Sequence, residues 1–265
     1  MTSAHLADPG IASRWTADEM MTIAASRTLH DHDSCFVGIG IPSTAAILAR
    51  MTRAPELTLI YESGAIGSRP ATLPLSIGDG ELARTALSVV SIPEIFNYWL
   101  QPGRIGTGFL GAAQVDRFGN INTTVIGDDY AHPKVRLPGA GGAPEIAGAC
   151  REVTIICRQS RRTFIDSVDF VTTVGLGRLP GDRAELGLSG AGPTRVITDL
   201  GILEPDPISR ELMLTSLHPT VTVEAVLAAT GWPLRVSDSL VVNEPPTDDE
   251  LSTLRALTSS GAGRT

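Results

Sequence analysis

Glu62 is the carboxylate in this sequence best placed to do chemistry. It directly follows Leu57-Thr-Leu-Ile-Tyr61, a run of strand character, and precedes Ser63-Gly-Ala-Ile-Gly67. In a parallel sheet the carboxyl ends of strands open onto the binding crevice. Glycines at 64 and 67 let backbone and ligand come close. A glutamate held there serves as general base, metal ligand or nucleophile; a solvated glutamate in a loop has the same local sequence. A second segment, Gly38-Ile-Gly-Ile-Pro-Ser43, separates a strand from a helix, where backbone N–H groups gather and hold anions. It lacks the third glycine of the dinucleotide fingerprint, and no Gly-Lys-Ser/Thr of a P-loop follows. A third, Leu137-Pro-Gly-Ala-Gly-Gly-Ala-Pro144, precedes a helix-like Glu145–Cys150. Its N–H groups form either an oxyanion hole or a plain turn. His132, just upstream, is a lone loop histidine. No HExxH or GxSxG motif occurs, which argues against a zinc hydrolase or an α/β-hydrolase.

The elements that must position these segments read as alternating α and β. Thr16-Ala-Asp-Glu19 is a capping box opening a helix that ends near Leu29. Cys35–Ile39 is a buried strand, Ser43 starts a second helix to about Thr52, and Leu57–Tyr61 is the next strand. This βαβ unit implies a parallel sheet. Further strands are expected at Ile105–Leu110, Ile121–Val125, Val153–Cys157, Asp169–Val174 and Arg195–Asp199. A late hairpin is expected over Gly201–Asp206 and Leu212–Leu214. Thr222–Thr230 reads as a helix closed by Gly231. Thr247-Asp-Asp-Glu250 caps a last helix running to about Leu257. The expected architecture is one α/β domain over residues 15–258, an open, mostly parallel sheet flanked by helices. An N-terminal arm (1–14) and a flexible tail (259–265) lie outside it.

Composition narrows the function classes. The chain has 265 residues, 42% hydrophobic and 19% charged, which fits a globular protein rather than a disordered one. With 21 Lys+Arg against 29 Asp+Glu the net charge is −8, and no basic run suggests a nucleic-acid partner. No apolar stretch approaches the ~18 residues of a membrane span, so no membrane partner is expected. Three cysteines without a CxxC give neither a disulfide framework nor a zinc motif. The start, MTSAHLADPG, has no signal-peptide pattern. A cytoplasmic protein is expected.

Four ordered segments resemble the family I coenzyme A-transferases. Glu62-Ser-Gly-Ala-Ile-Gly67 is similar to their (S)E(N/S)G motif, and Leu110-Gly-Ala-Ala-Gln-Val-Asp-Arg-Phe-Gly-Asn-Ile-Asn122 to their GA-Q-D--GN-N segment. Gly139-Ala-Gly-Gly-Ala143 resembles their G-x-G-G-A loop, and Val196-Ile-Thr-Asp-Leu-Gly-Ile-Leu203 their I-T-D-L-G-V-L segment. The stretch from Asn122 through His132-Pro-Lys134 is closer to the beta (B) subunits of the glutaconate type than to the 3-oxoacid enzymes. The resemblance runs from Trp15 to about Trp232. Pro144 departs from the pattern, in which Met or Asn follows the Gly-Gly-Ala.

The resemblance implies transfer of coenzyme A from an acyl thioester to a carboxylic acid. Glu62 would be the nucleophile, passing through a glutamyl-CoA thioester in ping-pong order. Backbone N–H groups of Gly142 and Ala143 would stabilise the oxyanion. Gly38, Gly40, Ser63, Gly64, Gly139 and Gly141 are the positions expected to approach substrate or coenzyme A. No metal and no cofactor beyond the thioester substrate is implied. The expected partner is a companion alpha (A) subunit of the same fold. Two other readings stay open here: an acyl-CoA hydrolase or decarboxylase on the same fold, and a sugar-phosphate-binding module using Gly38–Ser43. Arg69 is a candidate for binding a distal carboxylate.

Overall fold

A computed structural model describes residues 14–177 and 182–262 of the chain. All of the expected N-terminal arm except Arg14 lies outside them. Helix α1 (Ala17–Ser26) opens on the capping box read from the sequence: Glu19 N–H donates to Thr16 Oγ1 at 3.1 Å, and Thr16 N–H to Glu19 Oε2 at 2.7 Å. Strand β1 (Ser34–Val37) leads through the Gly38–Gly40 turn into α2 (Ile41–Thr52), then β2 (Thr58–Ile60). Helix α2 starts before Ser43, because Pro42 in its first turn lacks an N–H that no intrahelical bond needs there. Next come β3 (Ala65–Ile66), α3 (Gly80–Arg84), β4 (Ser88–Val89), α4 (Ile92–Glu94) and a π-helical turn, Ile95–Leu100. Strand β5 (Thr107–Leu110) is followed by the short β6 (Gln114–Val115), β7 (Ile121–Asn122), β8 (Val125–Ile126) and β9 (Val135–Arg136). The rest is α5 (Ala143–Ala149), β10 (Glu152–Ile156), α6 (Asp182–Glu185), β11 (Pro193–Ile197), β12 (Gly201–Pro205), β13 (Leu212–Leu217), α7 (Val223–Ala228), β14 (Arg235–Val242) and α8 (Asp248–Ala262).

Ten strands form one sheet in the order β14-β13-β12-β11-β10-β5-β1-β2-β3-β4. The centre is parallel from β11 through β10, β5 and β1 to β2; β12, β13, β3 and β4 join antiparallel, and the edge strand β14 runs parallel to β13. Central strands are covered on both faces, so their apolar residues run continuously. Cys35 and Val37 pack on the side of α1 and α2, with Leu59, Tyr61 and Phe109. Phe36, Ile60 and Leu110 point to the opposite side, with Ile146 of α5. Burying each of these larger side chains contributes roughly 1.5–3 kcal/mol. Helix α8 packs on α1 and α2 through Leu251 and Leu254. Arg27–Glu250 (2.6 Å) and Arg255–Glu19 (2.6 Å) tie down its first turn and its middle.

Several expectations are corrected. Asp169–Val174 is not a strand; its backbone pairing is a single bridge from Thr173 to Ile121. Ile121–Val125 is two strands, because Asn122 Oδ1 accepts N–H bonds from Thr124 (2.9 Å) and Val125 (3.3 Å) and turns the chain between them. Helix α8 continues to Ala262, so the expected tail from Ser259 is helical that far, and residues 263–265 lie outside the described ones. Strand β14, the π-helical turn and the β3–β4 edge are additional.

The centre of this topology places the site. From β1 the chain steps through α2 to β2 on one side, and it later returns as β5 on the other side of β1. The crossovers diverge there, and crevices form outside the carboxyl ends of strands at such a switch point.

Candidate active site

Glu62 stands at the carboxyl end of β2, at the corner of a tight turn. Gly64 N–H donates to Tyr61 O at 3.0 Å, and Tyr61 N–H to Ala65 O at 3.0 Å, so Glu62 and Ser63 are thrust out of the sheet. Gly64 makes this corner possible. Its φ is +97°, and a Cβ there would lie 1.8 Å from Val90 O. The turn stands on Tyr61, whose fully buried ring ends 3.4 Å from Ser43 Oγ. Burial pushes the Tyr61 phenol up to about 12, which makes it a neutral wedge at physiological pH.

The glycine loop before α5 reaches across to this carboxylate. Gly142 N–H donates to Glu62 Oε1 at 2.8 Å. A Cβ at 142 would meet Glu62 Oε1 at 2.3 Å and Phe96 Cζ at 2.7 Å, so a side chain there displaces the carboxylate and the ring. Phe96 comes from the π-helical turn, an irregularity frequent at functional sites. It leans on Phe36 of β1 at a centroid distance of 6.0 Å. The cleft above has a volume of about 200 Å³ and is lined by the ends of β1 (Phe36–Ile39) and β5 (Phe109–Gly111), by Pro42, Ala140–Ala143 and Ile146, and by Glu62. Among the described residues Glu62 is the one ionisable group in that lining. Electrostatic interactions made in such an apolar setting are stronger than in water.

The structure brings Glu62, Gly38, Gly141, Gly142 and Ala143 to one cleft. Ser63 and Gly64 form the turn beside it. Gly139 lies at the root of the loop, bonded to Thr123. Gly40 is exposed and caps α2 with a φ of +89°, outside the cleft lining. The Ala143 N–H closes a turn onto Ala140 O at 3.0 Å, so the expected pair of free donors is reduced to Gly142 in this arrangement. The phosphate-cradle reading of Gly38–Ser43 is poorly served, since Pro42 carries no N–H and Ser43 is buried with its hydroxyl towards Tyr61. Arg69 is outside the cleft, exposed and paired with Glu56 at 3.6 Å. His132 is exposed and hydrogen-bonded to Asp129 Oδ2 at 3.0 Å. Sequence reasoning missed Phe96, although Ser91-Ile-Pro-Glu94 is a capping box that announces a helix there.

Other chemistries find less support. Cys35, Cys150 and Cys157 are buried free thiols, and burial pushes the last two up to about 12, leaving them unreactive. Among the described residues no cluster of three or more His, Cys, Asp or Glu is arranged to hold a metal ion. A larger cleft of about 530 Å³ around Asp116, Arg117 and Glu211 is apart from Glu62, and its arginine is already paired with Asp166 and Glu211.

Comparison with known proteins identifies the family. The coenzyme A transferase family model matches residues 18–229. The chain belongs to the coenzyme A-transferase family. It is 60% identical over 245 residues to the B subunit of 3-oxoadipate CoA-transferase from Pseudomonas knackmussii, covering 92% of this chain and 94% of that one. It is 35% identical over 240 residues to the B subunit of glutaconate CoA-transferase from Acidaminococcus fermentans, covering 88% and 89%. The crystal structure of glutaconate coenzyme A-transferase from Acidaminococcus fermentans superposes with a TM-score of 0.86 at 31% identity, over 92% of this chain and 95% of that one. The chain is thus one subunit of a CoA-transferase, with the open, mostly parallel sheet expected from its sequence, and hydrolase or decarboxylase chemistry is disfavoured. The 3-oxoadipate relative shares more residues with it than the glutaconate relative does. No described helix is long and apolar enough to cross a membrane.

Proposed function

We propose that this CoA-transferase chain carries the nucleophile, Glu62, and moves coenzyme A between short dicarboxylic acids. The observation that carries this reading is the 2.8 Å bond from Gly142 N–H to Glu62 Oε1 in an otherwise apolar cleft. That bond leaves Oε2 as the attacking atom. Oε2 adds to the thioester carbonyl, the C–S bond breaks, and an acyl-glutamyl anhydride forms as the thiolate leaves. The thiolate then attacks Glu62 Cδ and expels the donor acid, giving the enzyme thioester. The acceptor carboxylate reverses the sequence. Each attack on Cδ builds negative charge on the side-chain oxygen that Gly142 already holds, and a preorganised donor of this kind contributes about 10²–10³ in kcat. The bond energy of the thioester is kept because acyl transfer precedes water at every stage.

The dicarboxylate class is supported by the two curated relatives, named for 3-oxoadipate and glutaconate. Among the described residues no Lys, Arg or His lines the cleft, so the cation for a distal carboxylate comes from a companion alpha chain of related fold. Both relatives are B subunits, which supports that partner. Carboxylate exchange needs neither metal nor redox cofactor, so activity should survive exhaustive chelation. The cytoplasm is the compartment that supplies acyl-CoA and suits three reduced thiols.

The test is a panel of acyl-CoA donors and dicarboxylic acids offered to the purified complex with its companion chain. Transfer between dicarboxylates without net thioester loss is expected. Net hydrolysis with no transfer product would overturn the reading.

A further inference from the structure

The segment from Gly111 to Asn122 resembles a family motif, yet beyond Gly111 it does not line the Glu62 cleft. Its last residue shows what it does. Asn122 is fully buried and saturates its amide: Nδ2–H donates to Gln114 Oε1 (2.7 Å) and Val125 O (2.6 Å), while Oδ1 accepts from Thr124 and Val125 N–H. This fixes the corner between β7 and β8, on which Thr123 sits. Thr123 is itself supported from behind. Its N–H donates to Thr172 Oγ1 at 2.9 Å, and that hydroxyl also meets Thr124 Oγ1 at 2.7 Å.

Thr123 then grips Gly139 twice. Gly139 N–H donates to Thr123 O at 2.8 Å, and Thr123 Oγ1–H donates to Gly139 O at 2.9 Å. Leu137 N–H to Thr124 O (3.0 Å) joins this clamp to the β8–β9 hairpin. Between the clamp and Gly142 lie only Ala140 and Gly141, both exposed, and Gly141 has a φ of +50°. This short connection is set by the turn from Ala143 N–H to Ala140 O (3.0 Å) and by how its two ends are held. Helix α5 holds one end, through Ile146 N–H to Gly142 O at 3.0 Å. The grip on Gly139 holds the other.

We propose that Thr123 is a positioning residue for transfer, its hydroxyl clamping Gly139 so that the Gly142 N–H meets the Glu62 carboxylate. This rests on the reading of Glu62 as nucleophile. Thr123 is not among the residues that line the Glu62 cleft, so binding and chemistry should separate. The Gly142 bond is already present on the free carboxylate and strengthens as charge develops on that oxygen; its loss falls on the chemical step, lowering kcat and kcat/KM together with little change in KM.

The experiment compares T123V, which keeps the branched shape and loses the donor, with T123S, which keeps the donor, both in the complex with the companion chain. A misplaced donor costs less than a missing one, so T123V should lose about tenfold to a hundredfold in kcat with KM for acyl-CoA within about twofold. T123S should return to near the wild-type kcat. T172V, which removes the support behind Thr123, should show the same kcat loss and serves where T123V does not assemble. The proposal is overturned by T123V or T172V complexes turning over at the wild-type rate, by a T123V loss that T123S shares, or by a loss seen in KM alone. Trapping of the glutamyl-CoA adduct in the wild type separates the two claims. An adduct together with an unaffected T123V removes only the clamp, whereas an absent adduct removes Glu62 as nucleophile.

Discussion

Gly142 and Glu62 are 80 residues apart in the chain and meet through one backbone hydrogen bond of 2.8 Å. The bond orients the carboxylate, and it waits on the oxygen where charge develops during transfer. Gly142→Ala should therefore be severe without unfolding the protein. Position 142 has an ordinary φ of −83°, but the added Cβ would lie 2.3 Å from Glu62 Oε1. We expect kcat to fall by about 10²-fold or more, with circular dichroism and complex assembly unchanged. Retention of more than about a tenth of the activity would show that the loop relaxes and that the donor is not critical.

Gly64 makes the opposite prediction, a stability effect. Its φ of +97° and the 1.8 Å approach of Val90 O leave no room for a side chain. A non-glycine residue in a sparsely populated backbone region costs about 1–3 kcal/mol, and the collision adds to this. Gly64→Ala should lower the unfolding midpoint by several degrees or abolish soluble expression, and it should shift Glu62. An unchanged thermal midpoint would contradict the geometry of the turn.

His218 gives the fold a pH dependence. It is buried, donates from Nε2–H to Thr198 O at 2.7 Å and accepts at Nδ1 from Asn243 at 3.0 Å, an arrangement of the neutral ring. Burial lowers its pKa from 6.5, although the Thr198 carbonyl opposes this. The unfolded chain therefore takes up the proton first, and this contribution to stability is complete above 6.5 and lost as pH falls through the lower folded value. Urea midpoints at about pH 7.5 and about pH 5.5 should differ less in His218→Gln than in the wild type. An equal pH-dependent loss in both would contradict this assignment.

Local signals made much of the site legible. The apolar run into Glu62, the glycines at 64, 139, 141 and 142, and the Gly38 turn are features of adjacent residues, and the structure places Glu62, Gly38, Gly141 and Gly142 in one cleft. What was not legible depends on distant partners. Asp169–Val174 has strand composition, but the Asp169 carboxylate is drawn to Gln114 Nε2 (3.2 Å) and Gly127 N–H (2.9 Å), leaving only the Thr173 bridge. Strand β14 carries Ser237, Asp238 and Ser239 on an exposed edge, which erases its alternation. Phe96 rides a π-helical turn that has no periodic signature. The turn that takes up the Ala143 N–H is a matter of loop conformation, which a run of glycines leaves open.

The central claim is that Glu62 becomes covalently loaded. The purified complex should be incubated with acyl-CoA in the absence of acceptor, quenched, digested and mapped by mass spectrometry. The account predicts coenzyme A on the peptide containing Tyr61-Glu62-Ser63, lost on addition of acceptor acid and absent in Glu62→Gln. A wild-type complex that transfers coenzyme A while no trapping condition yields that adduct would contradict it.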